Sequence, residues 1–269
     1  MARAQAVNDP FRGPEILELP TELQPTIAAS VPALADFKTA LYRLGYKLQF
    51  GYVADGLAIP AGGVKQEAAY EGLLYMALDA DLAKIAGLDG LSFFCVNAYQ
   101  IHGRQLSGSS IFNPATVDNI EARPTTRLFE LWVEQNLGEL ASIRIGQLTA
   151  DTEFFIGEFA SLYINGTFGW PVIFTLDLPG GGGPHYPLST PGVRLKVNPD
   201  DHLALLTGMF NGDPAGTGFV GTEQIKDPAG LNFRLKGPPL LCASAPSSGP
   251  RQLIHNTASN RISGIKSLT

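Results

Sequence analysis

TTRLFELWVEQ (residues 125–135), NLGEL (136–140) and ASIRIGQLTAD (141–151) decide how this chain is read. Two runs alternate with period two, and a short turn with Asn136 and Gly138 joins them. On 126–135 one face carries Phe129, Leu131 and Val133, and the other Thr126, Leu128, Glu130, Trp132 and Glu134. On 141–148 Ala141, Ile143 and Ile145 oppose Ser142, Arg144 and Gly146. Successive strand side chains point to opposite faces, so the stretch predicts an antiparallel hairpin with one apolar and one charged face. In a soluble β-sandwich the apolar face would be core. In a transmembrane barrel it would meet lipid, and the charged face would line an aqueous lumen. Runs of roughly 9–11 residues suit tilted membrane strands better than soluble ones.

The rest of the chain repeats the pattern. Tyr46, Leu48, Phe50 and Tyr52 oppose Lys47, Gln49 and Gly51; Tyr70, Leu74, Met76 and Leu78 oppose Glu71, Tyr75 and Asp79. Residues 91–102 form a third strand whose faces are too uniformly apolar to assign. After the hairpin, Val193, Leu195 and Val197 alternate with Arg194 and Lys196, 203–210 follows a tight turn, and Leu231, Phe233 and Leu235 alternate with Asn232 and Arg234. Connections after the first, third, fifth and seventh strands read as long, those between as short, which is the layout of an outer-membrane barrel. Leu34, Phe37, Leu41 and Leu44 recur at helical spacing, with Asp36 near the start and Gly45 as a stop, and predict a short helix before the first strand.

Composition narrows the partners. Charged residues are 16% of 269, against roughly 25% in ordinary soluble domains. A net charge of −6 argues against nucleic acid. No apolar run is long enough for a transmembrane helix, which leaves a strand-built membrane protein open. Cys95 and Cys242 read as two unlinked thiols. His102, His185, His202 and His255 sit on separate elements without a metal-binding spacing, and the glycines at 180–183 lack the Lys-Ser/Thr of a phosphate loop. No catalytic constellation, cofactor motif or metal site is read. A glycoside hydrolase would need carboxylates flanking its substrate, and Glu130 and Glu134 share one face.

Several fragments occur in order: DGLAIPAGG (55–63), RLFELWVEQ (127–135), RIGQLTADTEF (144–154), LYINGTFGWP (162–171), HYPLSTPGVRLK (185–196), FNGDPAG (210–216) and GLNFRL (230–235). Together they resemble the carbohydrate-selective porin family (OprB-type) of Gram-negative outer membranes. The resemblance implies an all-β, antiparallel transmembrane barrel of sixteen strands, about eight of them here, through which sugars diffuse without any cofactor. It also implies an inward-folded loop narrowing the lumen and a short helix before the first strand. On this reading 1–37 is a Pro-rich leader with a possible signal-peptide remnant (Ala4-Gln5-Ala6) and the start of the helix; 38–239 is the barrel portion; 240–269 is a non-matching, disordered tail. The partners are sugars and outer-membrane lipid. The alternative from another class is a soluble β-sandwich that binds carbohydrate with the same mixed face.

The residues expected to line the pore or touch sugar are Glu71, Tyr75, Glu130, Trp132, Glu134, Arg144, Asp151, Glu153, Arg194, Lys196 and Arg234. Acids and bases facing one another suit a neutral polyol, which offers hydroxyls to both signs. Trp132 and Tyr75 would stack on a sugar ring. The loop 149–191 is expected to fold inward and bring Asp151 and Glu153 toward Arg144, Arg194 and Lys196. Eight strands alone leave two unpaired edges in lipid, and an eight-stranded barrel is filled by its own side chains. Taken as it stands, the chain is expected to be a truncated porin that does not conduct.

Overall fold

The computed structural model describes residues 31–88, 91, 93–156, 163–178, 182–200, 203–214, 216 and 223–245. Among them one antiparallel sheet holds eight strands, each hydrogen-bonded to its neighbour in sequence. The strands are β1 (Tyr46–Ala58), β2 (Ala68–Asp81), β3 (Phe93–Gly103), β4 (Thr125–Leu137), β5 (Ala141–Leu148), β6 (Thr190–Val197), β7 (Leu205–Asn211) and β8 (Pro239–Ser244). A sandwich needs two sheets packed face to face. Here a single sheet has loops on one face and large exposed apolar side chains on the other, so the soluble sandwich is set aside. Phe50 is 66% exposed, Leu241 73%, and Ile145 and Met209 are exposed between them. No helix among the described residues is long and apolar enough to cross a membrane, which says nothing of strands.

The covered, inner face follows from the pairing register. Gln49, Gly51 and Asp55 of β1 stand opposite Ala77, Tyr75 and Glu71 of β2, and Tyr75 opposite Tyr99 of β3. Beyond β4, Glu134, Arg144 and Arg194 align in one row. The outer set carries Phe50, Leu74, Val96, Leu131, Val133, Ile143, Val193 and Leu195, as period-two alternation requires.

One strand breaks that alternation. Asn97 pairs with Glu130 and Ala98 with Leu128, leaving Phe129 as an extra residue. Such a bulge puts two residues against one and reverses parity on one side of itself. Phe129 is therefore not an outer residue: it is 1% exposed, with its ring centroid 4.5 Å from that of Tyr99 on the inner face. Thr126 and Leu128 move to the outer face, and Arg127, opposite Tyr99, moves inside. The expectation that Phe129 shares a side with Leu131 and Val133 is corrected by that one residue.

The eighth strand is also elsewhere. Residues 231–236 alternate in sequence but lie outside the sheet. The Leu231 and Asn232 amides donate to Asp227, and those of Phe233 and Arg234 to carbonyls two residues back. These local bonds use the donors that a strand would give its neighbour. β8 instead begins at Pro239 and pairs with β7 from Asn211↔Pro239 to Leu206↔Ser244. Residues 240–244 thus belong to the sheet and not to a tail; 246–269, the 1–30 leader and the glycines at 180–181 lie outside the described residues.

The contrast of long and short connections holds for 104–124, 149–189 and 212–238. It does not hold for 59–67, which is no longer than 82–92 at the opposite end. The helix α1 (Pro32–Arg43) is present, opened by a proline in its first turn, where the missing N–H costs nothing. Arg43 lies in its last turn, where a cation suits the helix dipole. Asp36 does not cap it.

Candidate functional site

The row Glu134–Arg144–Arg194 spans three adjacent strands at one height. Two arginines directly opposite each other on β5 and β6 repel, so the row is stable only if acids separate their charges. Glu134 supplies one: its Oε2 accepts from Arg144 Nε at 2.9 Å and Nη2 at 2.6 Å, and its Oε1 from Arg194 Nη2 at 3.1 Å. The second comes from the loop. A single-turn helix, α2 (Asp151–Phe154), follows β5 and lowers Glu153 onto the same pair. Glu153 Oε1 accepts from Arg144 Nη1, and its Oε2 lies 2.5 Å from Arg194 Nε. Arg194 Nη1 also donates to Ser142 Oγ at 2.9 Å, and its side chain is 4% exposed.

The result is a closed square of two acids and two bases with no net charge. Removing one member from such a buried pair costs more than the pair contributes, because a charge is left without a partner. Trp132, two residues before Glu134, forms the floor: the Arg144 guanidinium lies 3.7 Å from the indole centroid. Gly146 sits across the ladder from Trp132. A Cβ there would collide with the Leu131 carbonyl oxygen and lie 2.6 Å from the Trp132 Cα, so the close approach of the two backbones needs a glycine at this position. Lys196 follows two residues after Arg194 on the same face and joins no ion pair among the described residues.

Trp132, Glu134, Arg144, Glu153, Arg194 and Lys196 are thus brought together, and the loop reaches the inner face as expected. The other expected residues lie elsewhere. The Asp151 Oδ2 accepts from the Tyr186 amide at 3.1 Å. Glu130 is buried under the loop, where Oε2 accepts from Asn97 Nδ2 at 3.0 Å. Tyr75 is buried with Tyr99, Phe129 and Tyr186 in an aromatic cluster and offers no open ring face. Glu71 is 3% exposed and accepts from the Leu106 amide at 3.2 Å. Arg234 is in the 212–238 connection, 3.8 Å from Asp213, and not on a strand.

The alternation argument missed Arg127, Asp118 and Glu121, all buried under the loops. Arg127 was hidden by the bulge. Asp118 and Glu121 lie in the 104–124 connection, which has no periodicity to read; burial pushes Asp118 up to about 7 and raises Glu121. Among the described residues no His/Cys/Asp/Glu group is arranged to hold a metal ion.

The model of the family described as "Carbohydrate-selective porin, OprB family" matches residues 65–250. The high-pH structure of Pseudomonas putida OprB is similar with a TM-score of 0.64 at 21% identity, over 78% of this chain and 50% of that one. The low-pH structure of the same protein gives a TM-score of 0.43 at 16% identity, over 67% and 49%. The chain spans about half the length of these solved chains. No curated protein matches.

Proposed function

The chain belongs to the carbohydrate-selective porin family, OprB type, and from that premise we propose that it forms part of an outer-membrane channel through which sugars diffuse passively. In this reading the outer face of β1–β8 meets lipid and the inner face lines the lumen. Glu134, Arg144, Arg194 and Glu153 frame the narrowest point. Lys196 flanks it, and Glu71, Tyr75, Glu130, Trp132 and Asp151 support the wall from beneath the loops.

The observation that carries the proposal is the neutral square. A lining of one sign concentrates ions of the other. A fixed set of guanidinium donors and carboxylate acceptors with zero net charge instead offers hydroxyl groups both partners they need. The strands and the folded loop hold that set in place, so a passing sugar meets donors and acceptors already oriented. Each exchange of water for protein hydrogen bonds is then close to balanced, which is what passage without trapping requires. No step of covalent chemistry is needed.

The test is sugar-dependent swelling of proteoliposomes carrying the full gene product, with Arg144→Gln and Glu153→Gln alongside. The expected result is permeation of small sugars in the parent protein, with each single change altering sugar flux and ion selectivity together. Flux no greater than in empty vesicles would refute the channel. Unchanged selectivity in both variants would show that the square is not the narrowest point.

A further inference from the structure

A second group of charges lies on the same face, over β1 and β2, and has no ion-paired cation among the described residues. Asp55 of β1 and Glu71 of β2 stand opposite each other in register. The 104–124 connection folds over them and contributes Asp118 and Glu121. Asp118 is fully buried, accepts from the Ile120 amide at 3.0 Å through Oδ1, and feels the Asp55 carboxylate beside it. Glu121 clamps the loop onto itself, accepting from the Ser107 amide at 2.8 Å and the Ser107 hydroxyl at 2.6 Å. Glu71 ties the loop to the strand through the Leu106 amide.

Two oxygens in this group have no donor: Asp118 Oδ2 and Glu71 Oε2. A buried carboxylate oxygen without a donor is costly, and two ionised carboxylates in contact repel. Asp118 Oδ2 is satisfied if one carboxyl of the Asp55–Asp118 pair carries a proton and donates it to the other, as in paired carboxyl groups generally. Among the described residues no ion pair reaches these carboxylates. Lys65 and Arg104 are both taken by Glu67, at 2.6 and 2.5 Å. Tyr186, from the 149–189 connection, donates its hydroxyl to the Ile120 carbonyl at 2.8 Å. Arg127 of β4 is buried with its Nε and Nη1 unpartnered and forms no ion pair with the group among the described residues, and Ser110 donates to Glu67.

We propose that the Asp55–Asp118 carboxyl pair, backed by Glu71, is a proton-held latch that fastens the 104–124 loop over the ends of β1–β4. Burial pushes Asp118 up to about 7, with the Asp55 carboxylate adding to the effect. In the released loop the same carboxyl returns to the ordinary range near 4. The closed loop therefore binds the proton more tightly than the open one. Its advantage is full below about pH 4, declines as pH rises, and is gone above about 7. In the channel reading, on which this one consequence rests, release uncovers the mouth above β1–β4.

The test is hydrogen exchange of the 104–124 segment, followed by mass spectrometry on the full gene product in detergent micelles and corrected for the intrinsic pH dependence of exchange. Protection should fall by at least about tenfold between pH 5 and pH 8, consistent with the tenfold weight of one pKa unit. Asp118→Asn supplies a permanent donor in place of the proton, so its protection should stay high and flat over that range. Asp55→Asn should do the same from the other side and stands in if the first variant does not fold. Wild-type protection that is flat or rises with pH overturns the latch, as does a wild-type pH response in either folded variant. Release by EDTA at pH 6, or restoration by calcium at pH 8, overturns it in favour of a cation. Because exchange is read without transport, failure of the latch and failure of the channel are separate results.

Discussion

The square on β4–β6 and the acid group on β1–β2 are two solutions to one problem. Both put carboxylates on the inner face and cover them with a loop. At Glu134 and Glu153 the compensation is covalently installed as Arg144 and Arg194, so it does not depend on the medium within ordinary pH. At Asp55, Glu71, Asp118 and Glu121 no arginine or lysine among the described residues forms an ion pair with the group, and in the proposed latch the compensation comes from solution as a proton. Charge pairing makes a fixed wall, and proton sharing makes an adjustable one.

The largest expected effect breaks the fixed half. Glu134→Gln leaves Arg144 and Arg194 face to face with only Glu153 between them, and should cost about 3–5 kcal/mol. Denaturant unfolding in micelles, followed by tryptophan fluorescence, measures it. A loss below about 1 kcal/mol would mean that the square is hydrated and that its members are interchangeable.

The comparison also requires that both groups share one face and that the opposite face meets lipid. Leu131→Arg, on the outer side of β4 just past the bulge, should then cost about 2–4 kcal/mol near mid-membrane in the same assay. An Arg tolerated at 131 would place that face in water.

The third change has the opposite sign. Asp118→Asn should stabilise the protein by about 1–3 kcal/mol at pH 8, the cost of a buried group left without a donor. The gain should be smaller at pH 5 and vanish only below about pH 4, where the protonated pair is at its full advantage. Unfolding titrations at these values separate this from a generic effect of the amide.

The smallest effect concerns Glu67, which holds Lys65, Arg104 and Ser110 at the same end of the sheet. Its hydrogen bonds, that from Lys65 foremost, bring its carboxyl down to about 2. A depressed carboxyl contributes above its ordinary range and loses that contribution as pH falls toward the lowered value. Exchange protection of 59–67 should thus be level from pH 8 to 5 and weaken only below about pH 4. Its acid loss and the alkaline loss at 104–124 would be opposite responses from neighbouring loops.

How much of this was legible in the sequence depends on where periodicity existed. Tyr46–Tyr52, Leu74–Leu78 and Val193–Val197 alternate cleanly, and their faces are as read. So are Glu134, Arg144 and Arg194, which alternation alone puts on one side. Glu153 was expected there because the family resemblance implies an inward-folded loop, and Glu153 stands near its start. Phe129 was misread because an apolar side chain in an apolar-looking phase gives no sign of a bulge. The LNFRL run at 231–235 alternates better than PLLCAS at 239–244, yet only the second pairs with β7. Local bonds to Asp227, invisible in a pattern of polar and apolar letters, decided between them. Asp118 and Glu121 were out of reach for the same reason: loops bring charges together by contact, not by spacing.

The bulge at Phe129 has a consequence for how this chain tolerates insertion and deletion. Glu130 pairs with Asn97 and Leu128 with Ala98, so excising residue 129 would close the ladder without moving any other side chain across the sheet. The strand would lose one ring from the aromatic cluster and nothing else. Removing Leu131 or Val133 instead would carry one arm of β4 through the sheet, turning Arg127 toward the outer face or Glu134 away from Arg144. Position 129 is therefore where a length difference between relatives can be absorbed, and a gap placed two residues later would misalign every partner on one side of it.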